Sequence, residues 1–272
     1  MSDQAPALGQ WPNAPLALVL AQIRFDPEVA TEYPGLAKHI KAATGDQFQA
    51  MKSVKQLSFV LGDAGQNGVP AQASTEVGLD LRRDDERSSL RIQEGAVTYT
   101  TSLYKDSRHF LAEWRSVLDI LCREGGVKAL RIGLRYIDFI IPSTGKLPED
   151  YFDPGFARSP KILGDQAPVA FLRYDYTTTN NEMMRVQYGR GFAPPDLPPD
   201  LVGSVQPPPS LLEKYTGGAS AVLDIDHWCV LSARLQANEL AAEFKRLRDH
   251  ISEAFRRIIS DAAKDEWTAA ST

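Results

Sequence analysis

Ala129-Leu130-Arg131-Ile132-Gly133-Leu134-Arg135-Tyr136-Ile137-Asp138-Phe139-Ile140-Ile141-Pro142 is the stretch whose reading decides the fold class. Leu130, Ile132, Leu134, Tyr136 and Ile140 fall on one face at period two. Arg131, Gly133 and Arg135 occupy the other face, until Ile137, Phe139 and Ile141 make it apolar as well. Alternation sustained over that length predicts a long central strand with one end buried on both sides. Asp138 shares the face of Leu134 and Tyr136, so its carboxyl must be a hydrogen-bonded structural group or part of a site.

The same signals recur outward from this strand. Leu16 to Phe25, Gln56 to Leu61, Ser74 to Asp84, Ser88 to Tyr104, Val169 to Thr179, Glu182 to Gly189 and Ser220 to Ser232 read as strands, with an Asn180-Asn181 hairpin turn. Pro27 to about Ala43 has apolar residues at helical spacing, interrupted by Pro34. A helix capped by Asp106 or Ser107 carries Phe110, Leu111, Trp114, Val117, Leu118, Leu121 and Cys122 on one stripe and stops at Gly125-Gly126. A second long helix, expected to be capped by Asn238, aligns Leu240, Phe244, Leu247, Ile251, Phe255 and Ile258.

These elements predict an α+β fold: antiparallel sheet in two loosely similar halves, each followed by a long amphipathic helix packed on one face. The expected organisation is a flexible arm over 1–15, an N-terminal half over 16–142, a connecting loop over 143–168, a C-terminal half over 169–260 and a tail over 261–272. Seven prolines between Pro194 and Pro209 keep that excursion out of any sheet interior.

Of the 272 residues, 43% are apolar and 24% charged, and mean hydropathy is −0.28. That composition is globular, and no run approaches the ~20 apolar residues of a spanning helix. Met1 to Ala14 lacks the basic start and apolar run of a signal peptide, so a soluble, cytoplasmic protein is expected, without a membrane partner. Net charge of −5 makes nucleic acid an unlikely partner unless a basic patch forms locally. Cys122 and Cys229 have no CxxC neighbour and read as reduced, packed thiols.

No nucleotide, nucleophile-elbow or kinase motif is present, and the four histidines show no metal-ligand spacing. No cofactor and no metal are expected, and whether the chain is an enzyme stays open. One pattern carries chemistry. Arg24, Arg91, Arg131, Arg135, Arg173 and Arg185 lie in strands, with Asp224 and Asp226 at alternate positions on a further strand. On one curved face they would form a groove suited to a small phosphate- or carboxylate-bearing ligand. The competing reading is a wetted sheet face whose charges neutralise across strands. The speculative ligand-binding set is Arg24, Arg131, Arg135, Asp138, Arg173, Arg185, Asp224 and Asp226.

Asn13-Ala14-Pro15-Leu16 leading to Ile23-Arg24-Phe25-Asp26-Pro27, together with Arg131-Ile132-Gly133-Leu134-Arg135-Tyr136-Ile137-Asp138, resembles a sporadically distributed family of uncharacterised bacterial proteins. That family has a central Arg-x-Gly-x-Arg-Tyr strand signature. Asp138 stands where the signature leads to asparagine. The resemblance implies the extent of the domain and no activity. Its sporadic distribution implies a mobile-element or defence-associated bacterial setting. With motifs absent, the leading expectation is a non-enzymatic binding or regulatory protein acting through a protein partner or as a homo-oligomer. The alternative is an enzyme or sensor binding a phosphorylated ligand or nucleotide on the arginine-lined face.

Overall fold

The computed structural model describes residues 11–26, 33–60, 71–123, 125–157, 169–178 and 182–269. Among the described residues nine strands are present: β1 (Leu16–Phe25), β2 (Ala50–Val60), β3 (Ala71–Arg82), β4 (Ser88–Gln93), β5 (Ala96–Thr101), β6 (Val127–Ile140), β7 (Ala170–Thr177), β8 (Met183–Gly191) and β9 (Ser220–Leu235). They form one sheet in the order β2-β3-β4-β5-β1-β6-β9-β8-β7, and every neighbouring pair is antiparallel. The α+β antiparallel class is therefore as expected. The two halves differ from expectation: β6 pairs with β9 from Val127↔Leu235 to Ile140↔Ala221, so the sheet runs unbroken past the expected boundary.

Helices α1 (Tyr33–Thr44), α2 (Ser107–Leu121) and α4 (Ala237–Ile258) cover one face. Pro34 sits in the first turn of α1, where its missing N–H costs nothing. Asp106 caps α2, its Oδ1 accepting from the His109 N–H at 2.8 Å. At α4 the cap is Gln236, whose N–H donates to Glu239 Oε2 at 2.7 Å, two residues before the expected Asn238. The main core lies between these helices and Val19, Ala21, Ile23, Ile92, Val97, Ile132, Leu134 and Ile225. Trp114 of α2 meets Phe244 of α4 edge to face at 5.5 Å. Leu130 leaves the core face because β6 shifts register between Ala129 and Arg131, and it is exposed.

Two segments near the ends of the described residues pack against the core. Trp11 is buried against Phe255 and Trp267, and the Asn13 N–H donates to the Trp267 carbonyl at 3.1 Å. Within 261–272, Asp261–Thr268 form helix α5, capped by the Ser260 hydroxyl, with Ala263 and Trp267 buried. Trp267 stacks on Tyr151 at 5.5 Å. A lone tryptophan in a short polar segment gives no periodicity to read, yet Trp267 packs on Trp11, Phe255 and Tyr151.

The proline-rich excursion crosses the sheet face opposite the helices. Its Leu197, Leu201, Val205 and Leu211, the last in the short helix α3 (Pro209–Leu212), pack on Ala17, Leu18, Ile137 and Phe139 as a second core. This accounts for the doubly apolar end of β6. At the far side the Gln206 N–H donates to the Glu86 carbonyl at 3.1 Å and Arg82 Nη2 donates to the Gly203 carbonyl at 2.6 Å, fixing the segment as a strap. Cys122 and Cys229 are free and buried. Among the described residues no helix is long and apolar enough to cross a membrane.

Candidate functional site

Strand register sets the polar face rung by rung. One rung reads Asp80, Arg91, Thr98, Gln22, Gly133 and Trp228 across β3, β4, β5, β1, β6 and β9. The next places Arg24 directly opposite Arg131. On the other side run Ser89, Thr100, Leu20, Arg135, Asp226, Arg185 and Asp175. A cleft of about 260 Å³ opens over these rungs, and Asp200, Leu201 and Ser204 of the strap wall one side.

The arginines differ in what they hold. Arg135 is locked: Nε and Nη2 donate to Asp224 at 2.8 and 2.7 Å, and Nη1 donates to Asp200 at 2.5 Å. Burial would lower its pKa, yet its bonds to Asp224 and Asp200 raise it above the ordinary guanidinium value. Arg131 is looser. Its Nη1 donates to Gln22 Oε1 at 3.1 Å, its nearest carboxylate is Asp226 at 3.8 Å, and its guanidinium lies 5.1 Å from the Trp228 ring centroid. Burial lowers the Arg131 pKa; Asp226 opposes that shift, and Arg24 adds to it. Arg91 reaches Asp80 only at 3.6 Å, and among the described residues its buried Nε has no hydrogen-bond partner. Arg24 is exposed and has no ion pair among the described residues.

Arg131, Arg135 and Asp226 thus line the cleft, with Arg24 beside Arg131 in the ladder and Asp224 behind Arg135. Arg173 and Arg185 share the face but lie toward the β7 edge, where both bind Asp175. Asp138 is on the opposite face, 4% exposed, beside a cavity of about 30 Å³ lined by Trp11, Leu16, Tyr136, Ile225, Ile251 and Phe255. Burial, with Asp224 adding, pushes its carboxyl up to about 8, so it is a neutral acid at pH 7. Asp226 is pushed up to about 6, also mainly by burial. Asp200 also lines the cleft and escapes any reading of spacing, since only the path of the strap brings it to Arg135.

A second cluster lies under α4. Glu182, 1% exposed, precedes β8; His227 of β9 is fully buried; His250 of α4 is half-buried. Glu182 Oε2 stands 3.2 Å from His227 Nε2 and 3.4 Å from His250 Nδ1, while its Oε1 accepts from Arg246. Burial holds the His227 pKa down at about 4.

No family model matches the chain, and no curated protein matches it. Among solved structures it is similar to a rolling circle replication initiator protein from Geobacillus stearothermophilus. The identity is 10% over 94% of this chain and 91% of that one, with a TM-score of 0.30. The expectation of a non-enzymatic protein acting through a protein partner is corrected against this neighbour, which is named for initiating replication, and that class is withdrawn. A likeness at this TM-score supplies no activity in its place.

Proposed function

We propose that the polar sheet face binds a small anionic ligand bearing a phosphate or carboxylate group. In this reading Arg131 and Arg91 contact the anion, Arg24 guards the rim, and Ser89, Thr98 and Thr100 offer hydroxyls. The observation that carries it is the direct opposition of Arg24 and Arg131 in the β1–β6 ladder. Like charges directly across a ladder destabilise a sheet unless an anion lies between them. Among the described residues the only carboxylate near Arg131 is Asp226 at 3.8 Å. Planar guanidinium groups match phosphate and carboxylate oxygens in pairs, so the unsatisfied Arg91 Nε is a further donor of the right kind.

The test compares melting temperatures in inorganic phosphate and in chloride at equal ionic strength. Phosphate is expected to raise the wild-type value, because a ligand that binds only the native state stabilises it, by about 2.7 kcal/mol at 100 times Kd. Arg131→Ala should melt near wild type in chloride and lose the phosphate effect. Arg135→Ala should melt lower in both, since it strands Asp224 without its bidentate partner. Equal phosphate shifts in wild type and Arg131→Ala would reject the proposal.

A further inference from the structure

Glu182, His227 and His250 come from three elements, at sequence separations of 45 and 23 residues, and converge on one point beneath α4. Glu182 Oε2 faces both His227 Nε2 and His250 Nδ1, and the three residues each offer a ligand atom within 4.8 Å of the others. His227 Nδ1 faces the Leu247 carbonyl at 3.2 Å. A carbonyl only accepts, so Nδ1 carries the ring proton, and Nε2 points its lone pair at the cluster. Thr178 Oγ1, at 3.0 Å, is the one hydroxyl facing it among the described residues. His250 Nδ1 is buried with no hydrogen-bond partner among the described residues, although it stands 3.4 Å from the Glu182 carboxylate. Two imidazole nitrogens and a carboxylate oxygen thus face one another with few protons to share.

From this geometry we infer that Glu182, His227 and His250 bind one divalent first-row transition ion of the zinc class. Donors about 2.0–2.1 Å from a tetrahedral ion stand roughly 3.3–3.4 Å apart, against 3.2 and 3.4 Å for the two glutamate–histidine pairs. The orientation of His227 through a ring N–H on a backbone carbonyl is what metal-bound imidazoles use to fix their tautomer. Two histidines and one carboxylate suit zinc or ferrous iron and leave a coordination position open. Charge permits a dication as well. Arg246 is shared between Glu182 and Glu243, which leaves the pocket one carboxylate in excess. His250 is the partly exposed member and marks the entry side. A bound ion would tie α4 to β9 and to the start of β8.

The experiment titrates Zn²⁺ into the full chain after chelator treatment and measures retained zinc by elemental analysis after desalting. Wild type is expected to retain one equivalent and to melt higher with zinc than without. His250→Ala, which removes a half-exposed ring, should fold normally and retain none. A His39→Ala/His109→Ala double variant, altering two exposed histidines outside the cluster, should retain one equivalent. Wild-type protein that keeps no zinc, or His250→Ala protein that keeps a full equivalent, would overturn the assignment. Neither outcome depends on the phosphate response of the opposite sheet face.

Discussion

Arg131 and Arg135 are four residues apart on the same strand face, yet partners alone give them different roles. Two carboxylates hold Arg135, whereas Arg131 has an amide, an indole and a distant carboxylate. Alternation in the sequence places both on one face and cannot distinguish them, because the partner that separates them, Asp200, arrives from the strap. Asp138 carries a prediction of its own. Tyr136 is the other titratable group beside its cavity, and Asp224 adds to its shift. The folded carboxyl keeps its proton up to about 8, while an unfolded aspartate ionises near about 4. Between those values the folded state binds the extra proton, so stability falls as pH rises, on the order of 1 kcal/mol per pH unit, and levels off above about 8. Asp138→Asn, neutral throughout, should flatten that slope in urea unfolding, matching wild type near pH 4 and exceeding it near pH 8. Identical slopes for the two proteins would show that Asp138 ionises freely.

At the scale of elements, period-two and helical spacing made the strands and the long helices legible, since burial of one face dictates both patterns. Three features were not legible for physical reasons. Helix α5 is too short for a periodic signal and depends on Trp267 docking against Tyr151 and Trp11. Leu130 leaves the core at a register shift that alternation alone cannot show. The strap, barred from the sheet by its prolines, packs flat on one face through four apolar side chains. Leu201 is central there, since it belongs to the second core and also lines the cleft. Leu201→Ala should cost about 2–5 kcal/mol of local packing. Limited proteolysis should then cut first between residues 192 and 219 while the helix-covered core stays resistant. Cleavage spread evenly over the chain would show that the strap is not an independently loosened element.

At the scale of the molecule, the unbroken β6–β9 pairing puts both expected halves in one sheet, and the main core includes residues from β1 to α5. A core shared in this way predicts one cooperative transition, with tryptophan fluorescence and far-ultraviolet circular dichroism giving the same urea midpoint. Separate midpoints would restore a two-domain description. The shared sheet also explains why alternation could name Arg131, Arg135 and Asp226 for the cleft but not its strap wall, and why the glutamate–histidine cluster escaped local spacing altogether. The cleft draws on five strands and the strap, and Glu182, His227 and His250 meet only after β8, β9 and α4 have packed. The central claim is that the face opposite the helices is an anion site centred on Arg131 and Arg91. The most direct test is a crystal structure of the full chain grown with tungstate, a heavy analogue of phosphate that anomalous scattering locates without ambiguity. Tungstate is expected in the strap-walled cleft, within hydrogen-bond distance of the Arg131 and Arg91 guanidinium groups. Ordered tungstate elsewhere on the surface, with none in that cleft, would contradict it.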